Sequence, residues 1–178
     1  MIYVLMTNGV EEVEAITPID IMRRAELNVA TVAVADSLTV TGSHNIPVTC
    51  DIMLDKVDTT DMEALILPGG PGHINLDQNS EVQRLIDFAA ENGILIGAIC
   101  ASPSIIGKKG LLKGRKATAF PGFEEFLIGA DVTGEKAVKD GNFITAKGAG
   151  ASAEFGFLLT ETLADKETAE NLKRSMQY

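Results

Sequence analysis

The sequence predicts an α/β fold: one domain over residues 1–178, with a mainly parallel central sheet covered by helices on both faces. Three observations predict it. Short apolar, β-branched runs alternate with segments of helical spacing along the whole chain. The glycine-rich stretches are short and fall at the ends of the apolar runs, where chain reversals belong. No linker, internal repeat or low-complexity tract interrupts the pattern. Parallel strands joined by helices need right-handed crossovers, which wind the chain into a doubly wound sandwich. A chain of 178 residues suits one domain. At that size about 70% of the unfolded surface can be buried without covalent staples.

Residues 2–7 are apolar enough for a buried strand, ended by Asn8-Gly9. Helical spacing follows from about Glu11 to Glu26, with Pro18 inside it, so a kink or late restart is expected there. Asn28 to Ala35 alternates and reads as a second strand. Residues 38–54 carry short β-rich pieces around Gly42-Ser43-His44-Asn45, the pattern of a hairpin. Ala64 to Pro68 is a short buried strand stopped by Gly69-Gly70-Pro71-Gly72. Glu81 to Glu91 is helical through Val82, Leu85, Ile86 and Ala89, and Asn92-Gly93 ends it. Ile94 to Ile99 is another apolar strand. Pro103 suits the first position of a helix capped by Ser102. Ala117 to Phe120 reads as a short strand and Lys136 to Lys147 as a hairpin around Asp140-Gly141-Asn142. Helices over Ser152–Leu163 and Lys166–Ser175 complete the pattern.

Composition narrows the function. The net charge of −10 repels phosphate backbones, which argues against a nucleic-acid partner. No apolar run approaches the length of a membrane span. The first residues enter a strand with no basic stretch before it, unlike a signal peptide, and a cytoplasmic location is expected. Two cysteines, Cys50 and Cys100, make neither a secreted disulfide framework nor a metal-ligand spacing. Neither His44 nor His73 has a second ligand at useful spacing, so no metal site is expected.

In open α/β sheets, ligands bind beyond the carboxyl ends of the strands. Two segments meet that condition: Gly69-Gly70-Pro71-Gly72-His73 and Gly97-Ala98-Ile99-Cys100-Ala101-Ser102-Pro103. A nucleophile on a sharp strand-to-helix turn needs small neighbours, which Gly97, Ala98, Ala101 and Ser102 supply. The following helix would favour the Cys100 thiolate through its N-terminal partial charge. A buried core cysteine is the alternative. Cys50 lacks the turn and reads as inert. Glu14 falls on the apolar helical face of Pro18, Ile21 and Ala25, where a carboxylate must be paired or protonated. Glu11 and Glu12 read as first-turn acids that favour the helix dipole. The Gly69-Gly70 amides can face a developing oxyanion, or merely make a turn. His73 reads as a loop histidine that either lies near Cys100 or is solvated.

The segments Asn8-Gly9-Val10-Glu11-Glu12-Val13-Glu14, Pro18-Ile19-Asp20 with Met22-Arg23-Arg24-Ala25, Leu67-Pro68-Gly69-Gly70, Ala98-Ile99-Cys100-Ala101, and Lys147-Gly148-Ala149-Gly150 with Glu154-Phe155 follow one another along the chain. Taken together, they resemble the ThiJ/PfpI superfamily, and within it the branch of the parkinsonism-associated protein. The resemblance spans nearly the whole chain. It implies a flavodoxin-like sandwich of the class I glutamine amidotransferase type and a homodimer. It implies that Cys100 is the oxidisable nucleophile, that Glu14 is its protonated carboxyl partner, and that Gly70 and Ala101 lend backbone donors. Gly69, Arg24 and His73 are then candidates for the pocket. Many animal relatives have a histidine in the loop that here reads Ala119-Phe120-Pro121, so the Cys–His pair from that loop is missing. A second arginine of the family's pocket is replaced near His44. The peptidase branch has histidine directly after the cysteine, where this chain has Ala101.

The resemblance implies action on small reactive carbonyls: glyoxalase-type conversion of 2-oxoaldehydes or deglycation, without a cofactor, through Cys100 assisted by Glu14. The alternative is a redox sensor or chaperone that does not turn over and works by oxidation of Cys100. An intracellular cysteine peptidase fits less well.

Overall fold

The alternating apolar runs become strands and the periodic segments become helices in the computed structural model, which describes residues 1–178. In chain order these are β1 (Ile2–Met6), α1 (Glu12–Arg24), β2 (Val29–Ala33), β3 (Thr39–Thr41), β4 (Pro47–Thr49), β5 (Ile52–Met53), β6 (Ala64–Leu67), α2 (His73–Gln78), α3 (Ser80–Glu91), β7 (Leu95–Ile99), α4 (Pro103–Lys108), β8 (Lys116–Ala117), β9 (Asp131–Val132), β10 (Ala137–Asp140), β11 (Phe143–Ala146), α5 (Ser152–Leu163) and α6 (Lys166–Ser175).

Seven strands form the central sheet in the order β10-β11-β7-β6-β1-β2-β5. Every pairing is parallel except β10 with β11, the hairpin at one edge. Alternation within the buried strands feeds two cores. Tyr3, Leu5, Leu65, Leu67, Ile96 and Ala98 face one side and meet Val82, Leu85 and Ile86 of α3 with Ile105 and Ile106 of α4. Ile2, Val4, Met6, Ile66 and Ile99 face the other and meet Ala15, Ile19 and Met22 of α1 with Phe155 and Leu159 of α5. Burying apolar side chains on both sheet faces is what a parallel sheet requires. No helix is long and apolar enough to cross a membrane.

The strand order reverses at β1: the chain proceeds outward to β2 on one side and returns to β6 on the other. That reversal opens a crevice between the carboxyl ends of β1 and β6, beside the end of β7. The loops there are stapled together. Glu11 N–H donates to Gly69 O at 3.1 Å and Gly72 N–H donates to Gly9 O at 2.8 Å.

Four local expectations are corrected. Of the kink or restart expected at Pro18, the restart does not occur: α1 is continuous from Glu12 to Arg24. A mid-helix proline costs about 3 kcal/mol, and here Pro18 is buried against α5, its Cα only 3.0 Å from where a Cβ on Gly156 would lie. Tertiary packing holds the helix intact. The strand expected over Ala117–Phe120 shrinks to Lys116–Ala117, paired with β9. Its remaining amides serve elsewhere: Thr118 N–H donates to Thr145 Oγ1 at 2.9 Å, and Phe120 N–H to Cys100 O at 2.8 Å. Ser102 precedes α4, but its hydroxyl donates to Pro68 O at 2.6 Å instead of capping the helix. His73 is not in a loop; it opens α2.

Candidate active site

The buried strand β7 ends at Ile99, and the next residue, Cys100, has φ +67°. A side chain in that left-handed region costs of order 1–3 kcal/mol, and such residues persist only where their surroundings fix them. Both backbone groups of Cys100 are fixed. Its N–H donates to Ala146 O of β11 at 2.9 Å, and its carbonyl accepts from Phe120 N–H. Ala101 is buried and small. The result has the geometry of an elbow: a thiol held on a sharp turn at the end of a buried strand.

Glu14 reaches the elbow from the first turns of α1. It is 1% exposed. Gly69 N–H donates to its Oε2 at 3.1 Å, the Ala149 amide also donates to it, and its carboxyl hydrogen-bonds the Cys100 thiol. Burial is the main force on its proton. Together with repulsion from Glu11 it outweighs these hydrogen bonds and raises the carboxyl to about 7.

Gly69 and Gly70 make this approach possible. A Cβ on Gly69 would lie 2.5 Å from both Cys100 Cβ and Glu14 Oε2. Gly70 has φ +88°, and a Cβ there would lie 2.4 Å from Glu11 N. The bare turn presents the Gly70 amide to the sulfur, and the Ala101 amide joins it; both pull the thiol pKa down. They do not win. Burial first, then the charge and hydrogen bond of Glu14, push the thiol up to about 12. The N-terminus of α4, a helix of six residues, does not reverse this. The charge-sharing state that yields thiolate is the one with the proton on Glu14. A neutral carboxyl removes the repulsion and becomes a donor to sulfur, so the pair titrates as a unit.

The cavity in front of the sulfur is about 390 Å³ and is lined by Glu14, Gly70, His73, Cys100, Phe120 and Phe123, among others. Of the residues singled out in the sequence, Cys100, Glu14, Gly69, Gly70, Ala101 and His73 come together here. Arg24 does not. It lies toward the far end of α1, exposed, with Nε 2.7 Å from Asp20 Oδ2 and beside Thr168 and Asn171 of α6. Cys50 is buried among the apolar residues under α1, and burial raises its thiol to about 11.

Sequence reasoning missed Glu11, Phe123 and Ala149 as cavity walls, and misjudged Glu12. Glu12 is 7% exposed and grips the β3–β4 hairpin. It accepts from His44 N–H at 2.8 Å and Ser43 Oγ at 3.1 Å, and its Oε2 is 2.9 Å from His44 Nδ1. Burial opposes ionisation of Glu12, but these partners hold it down at about 2. Glu11, Glu12 and His44 offer ligand atoms within 4.8 Å of one another. Those atoms already bond one another and Ser43, so the cluster acts as a latch between α1 and the hairpin. No spacing rule could reveal it, because 32 residues separate Glu12 from His44.

Residues 1–162 match the DJ-1/PfpI family. The chain is 35% identical to protein DJ-1 homolog B of Arabidopsis thaliana over 98% of its own length but only 40% of that protein's. It is 31% identical to a deglycase of Pyrococcus horikoshii, over 80% of this chain and 87% of that one. Among solved structures, a mutant of a DJ-1 superfamily protein from Salmonella typhimurium superposes with a TM-score of 0.93 at 32% identity, covering 99% of this chain and 97% of that one.

Proposed function

The chain belongs to the DJ-1/PfpI family, and on that footing we propose that it converts small reactive 2-oxoaldehydes, or removes them from proteins, through Cys100 with Glu14 as proton carrier. The observation that supports this reading best is the hydrogen-bonded Glu14–Cys100 pair, set beneath the Gly70 and Ala101 amides in a cavity sized for a small molecule. The Pyrococcus relative's name, deglycase, agrees with it.

The chemistry balances without a redox partner. The thiolate adds to the aldehyde carbon, forming a C–S bond, and the carbonyl oxygen takes the proton held by Glu14. Glu14, now ionised, removes the hydrogen on that carbon and returns it to the neighbouring carbon, while the hydroxyl proton passes between the two oxygens. The hemithioacetal thereby becomes a thioester of a 2-hydroxy acid. Water then releases the acid and restores the pair. Steady-state assay with methylglyoxal tests the reading. Hydroxy-acid formation by the wild type and none by Cys100→Ser is the expected result. Equal rates in the two proteins, or none in either, would reject it.

A second reading draws on the same geometry. Peroxide can oxidise the Cys100 thiolate to sulfinate, two equivalents of peroxide being reduced to water. A protonated Glu14 and the two amides would then hydrogen-bond the sulfinate. The protein would act as a sensor in that case. A homodimer and a cytoplasmic location belong to the proposal as well. The exposed apolar residues Val13 and Ile16 on α1 and Ile46 on the adjoining hairpin are consistent with a partner surface.

A further inference from the structure

Release of the thioester requires a base for water. Glu14 lines the cavity but is 1% exposed, and its carboxylate is already held by the Gly69 and Ala149 amides beside the sulfur. The loop beside the elbow offers Phe120, which cannot take a proton. Glu11 lines the cavity too, but its Oε2 accepts from Ser43 Oγ at 2.8 Å, and His44 is tied to Glu12 in the hairpin. His73 remains. Its ring lines the same cavity as Cys100.

Its Nδ1 lies 2.9 Å from Gly70 O. A carbonyl only accepts, so Nδ1 carries the hydrogen and the neutral ring keeps its lone pair on Nε2. The ring also stands edge to face with Phe123, centroids 5.3 Å apart and planes at 89°. One hydrogen bond and one aromatic contact therefore fix both tautomer and orientation. The residue that orients the imidazole, Gly70, is the one whose amide faces the sulfur. Nε2 has no hydrogen-bond partner within the protein.

We propose that His73, through Nε2, is the general base that activates water for hydrolysis of the Cys100 thioester. The inference rests on the carbonyl-converting reading above. Water oxygen bonds to the thioester carbon as its proton moves to Nε2. The tetrahedral oxyanion collapses, the C–S bond breaks, and sulfur leaves with the electron pair. The imidazolium then returns its proton to the Glu14–Cys100 pair. This places a histidine in the same cavity as Phe120.

His73→Asn separates the two roles of the ring, because an Asn amide can still donate to Gly70 O but offers no base. Enzyme is mixed with methylglyoxal, and hydroxy acid and intact protein mass are followed together. The wild type should release acid with little bound adduct. His73→Asn should release it roughly a hundredfold more slowly while adduct on Cys100 accumulates at the wild-type rate. In His73→Ala, added imidazole should restore release. Wild-type release by His73→Asn, loss of adduct formation together with release, or absence of imidazole rescue in His73→Ala would each overturn the assignment of His73 alone. A wild type that neither turns over nor forms adduct would overturn the carbonyl reading and this inference with it.

Discussion

Glu14 and Cys100 are joined by a side-chain hydrogen bond across a gap that Gly69 keeps open, where a Cβ would sit 2.5 Å from both Cys100 Cβ and Glu14 Oε2. Helix α1 and the turn after strand β7 thus contribute one side chain each to a two-residue unit, and a glycine sets their separation.

Gly69→Ala should disrupt that unit. The new methyl must displace the thiol, the carboxyl or the backbone at Ile99 O, which is 2.8 Å away. Overpacking of this kind costs about 1–3 kcal/mol. A lower thermal midpoint with loss of methylglyoxal turnover is expected. Unchanged turnover would show that the Glu14–Cys100 contact is not needed.

Cys100 should be the only thiol that reacts quickly. Cys50 is 4% exposed and raised to about 11 by burial first and by Asp51 second. Limiting iodoacetamide at neutral pH, followed by peptide mass mapping, should label Cys100 well before Cys50. Equal labelling of the native protein would contradict this.

Glu14 acts on sulfur by charge and by hydrogen bond, and two variants separate these. Glu14→Gln removes the charge and keeps a donor; Glu14→Leu removes both. Thiolate absorbance against pH, with Cys100→Ser as blank, should place the thiol of Glu14→Gln below that of Glu14→Leu. Both variants should lose turnover. Identical titration of the two would show that no hydrogen bond reaches the thiolate.

Stability should depend on pH in two separate windows. Glu14 is raised from 4.5 to about 7 in the folded chain. Its protonated form is favoured by folding, so its contribution is complete below pH 4.5 and is lost as pH rises through 7. The loss is roughly 3 kcal/mol at most. Glu12 is lowered from 4.5 to about 2, so its contribution holds above 4.5 and is lost as pH falls through 2. Thermal melts of Glu14→Gln should flatten the upper window only, and those of Glu12→Gln the lower one only. A wild-type slope between pH 5 and 7 that survives in Glu14→Gln would reject the assignment.

If the exposed apolar residues of α1 and the hairpin meet a second copy, light scattering in dilute buffer should give about twice the chain mass of 18.9 kDa. Ile16→Glu should return it to one chain mass. A wild-type monomer would remove the dimer from the proposal.

What the sequence determined by itself was what period and punctuation encode. The runs at Ile2–Met6, Ala64–Leu67 and Leu95–Ile99 are too apolar to be anything but buried strands, and Gly69-Gly70 and Cys100 mark their ends. Small residues around Cys100 and a carboxylate on an apolar face singled out Cys100 and Glu14, because both patterns are local; the family resemblance is what joined the two. Tertiary structure decided what depends on neighbours distant in sequence. Packing of Pro18 against α5 kept α1 whole. The amides of Thr118 and Phe120 left a strand to bind Thr145 and the elbow. Burial, not the helix N-terminus, set the direction of the Cys100 pKa, since desolvation depends on how the whole fold closes over the sulfur. Only the folded chain could turn His73 onto the cavity, send Arg24 away from it, and join Glu12 to His44, because such contacts arise from the path of the backbone through space and leave no period in the sequence.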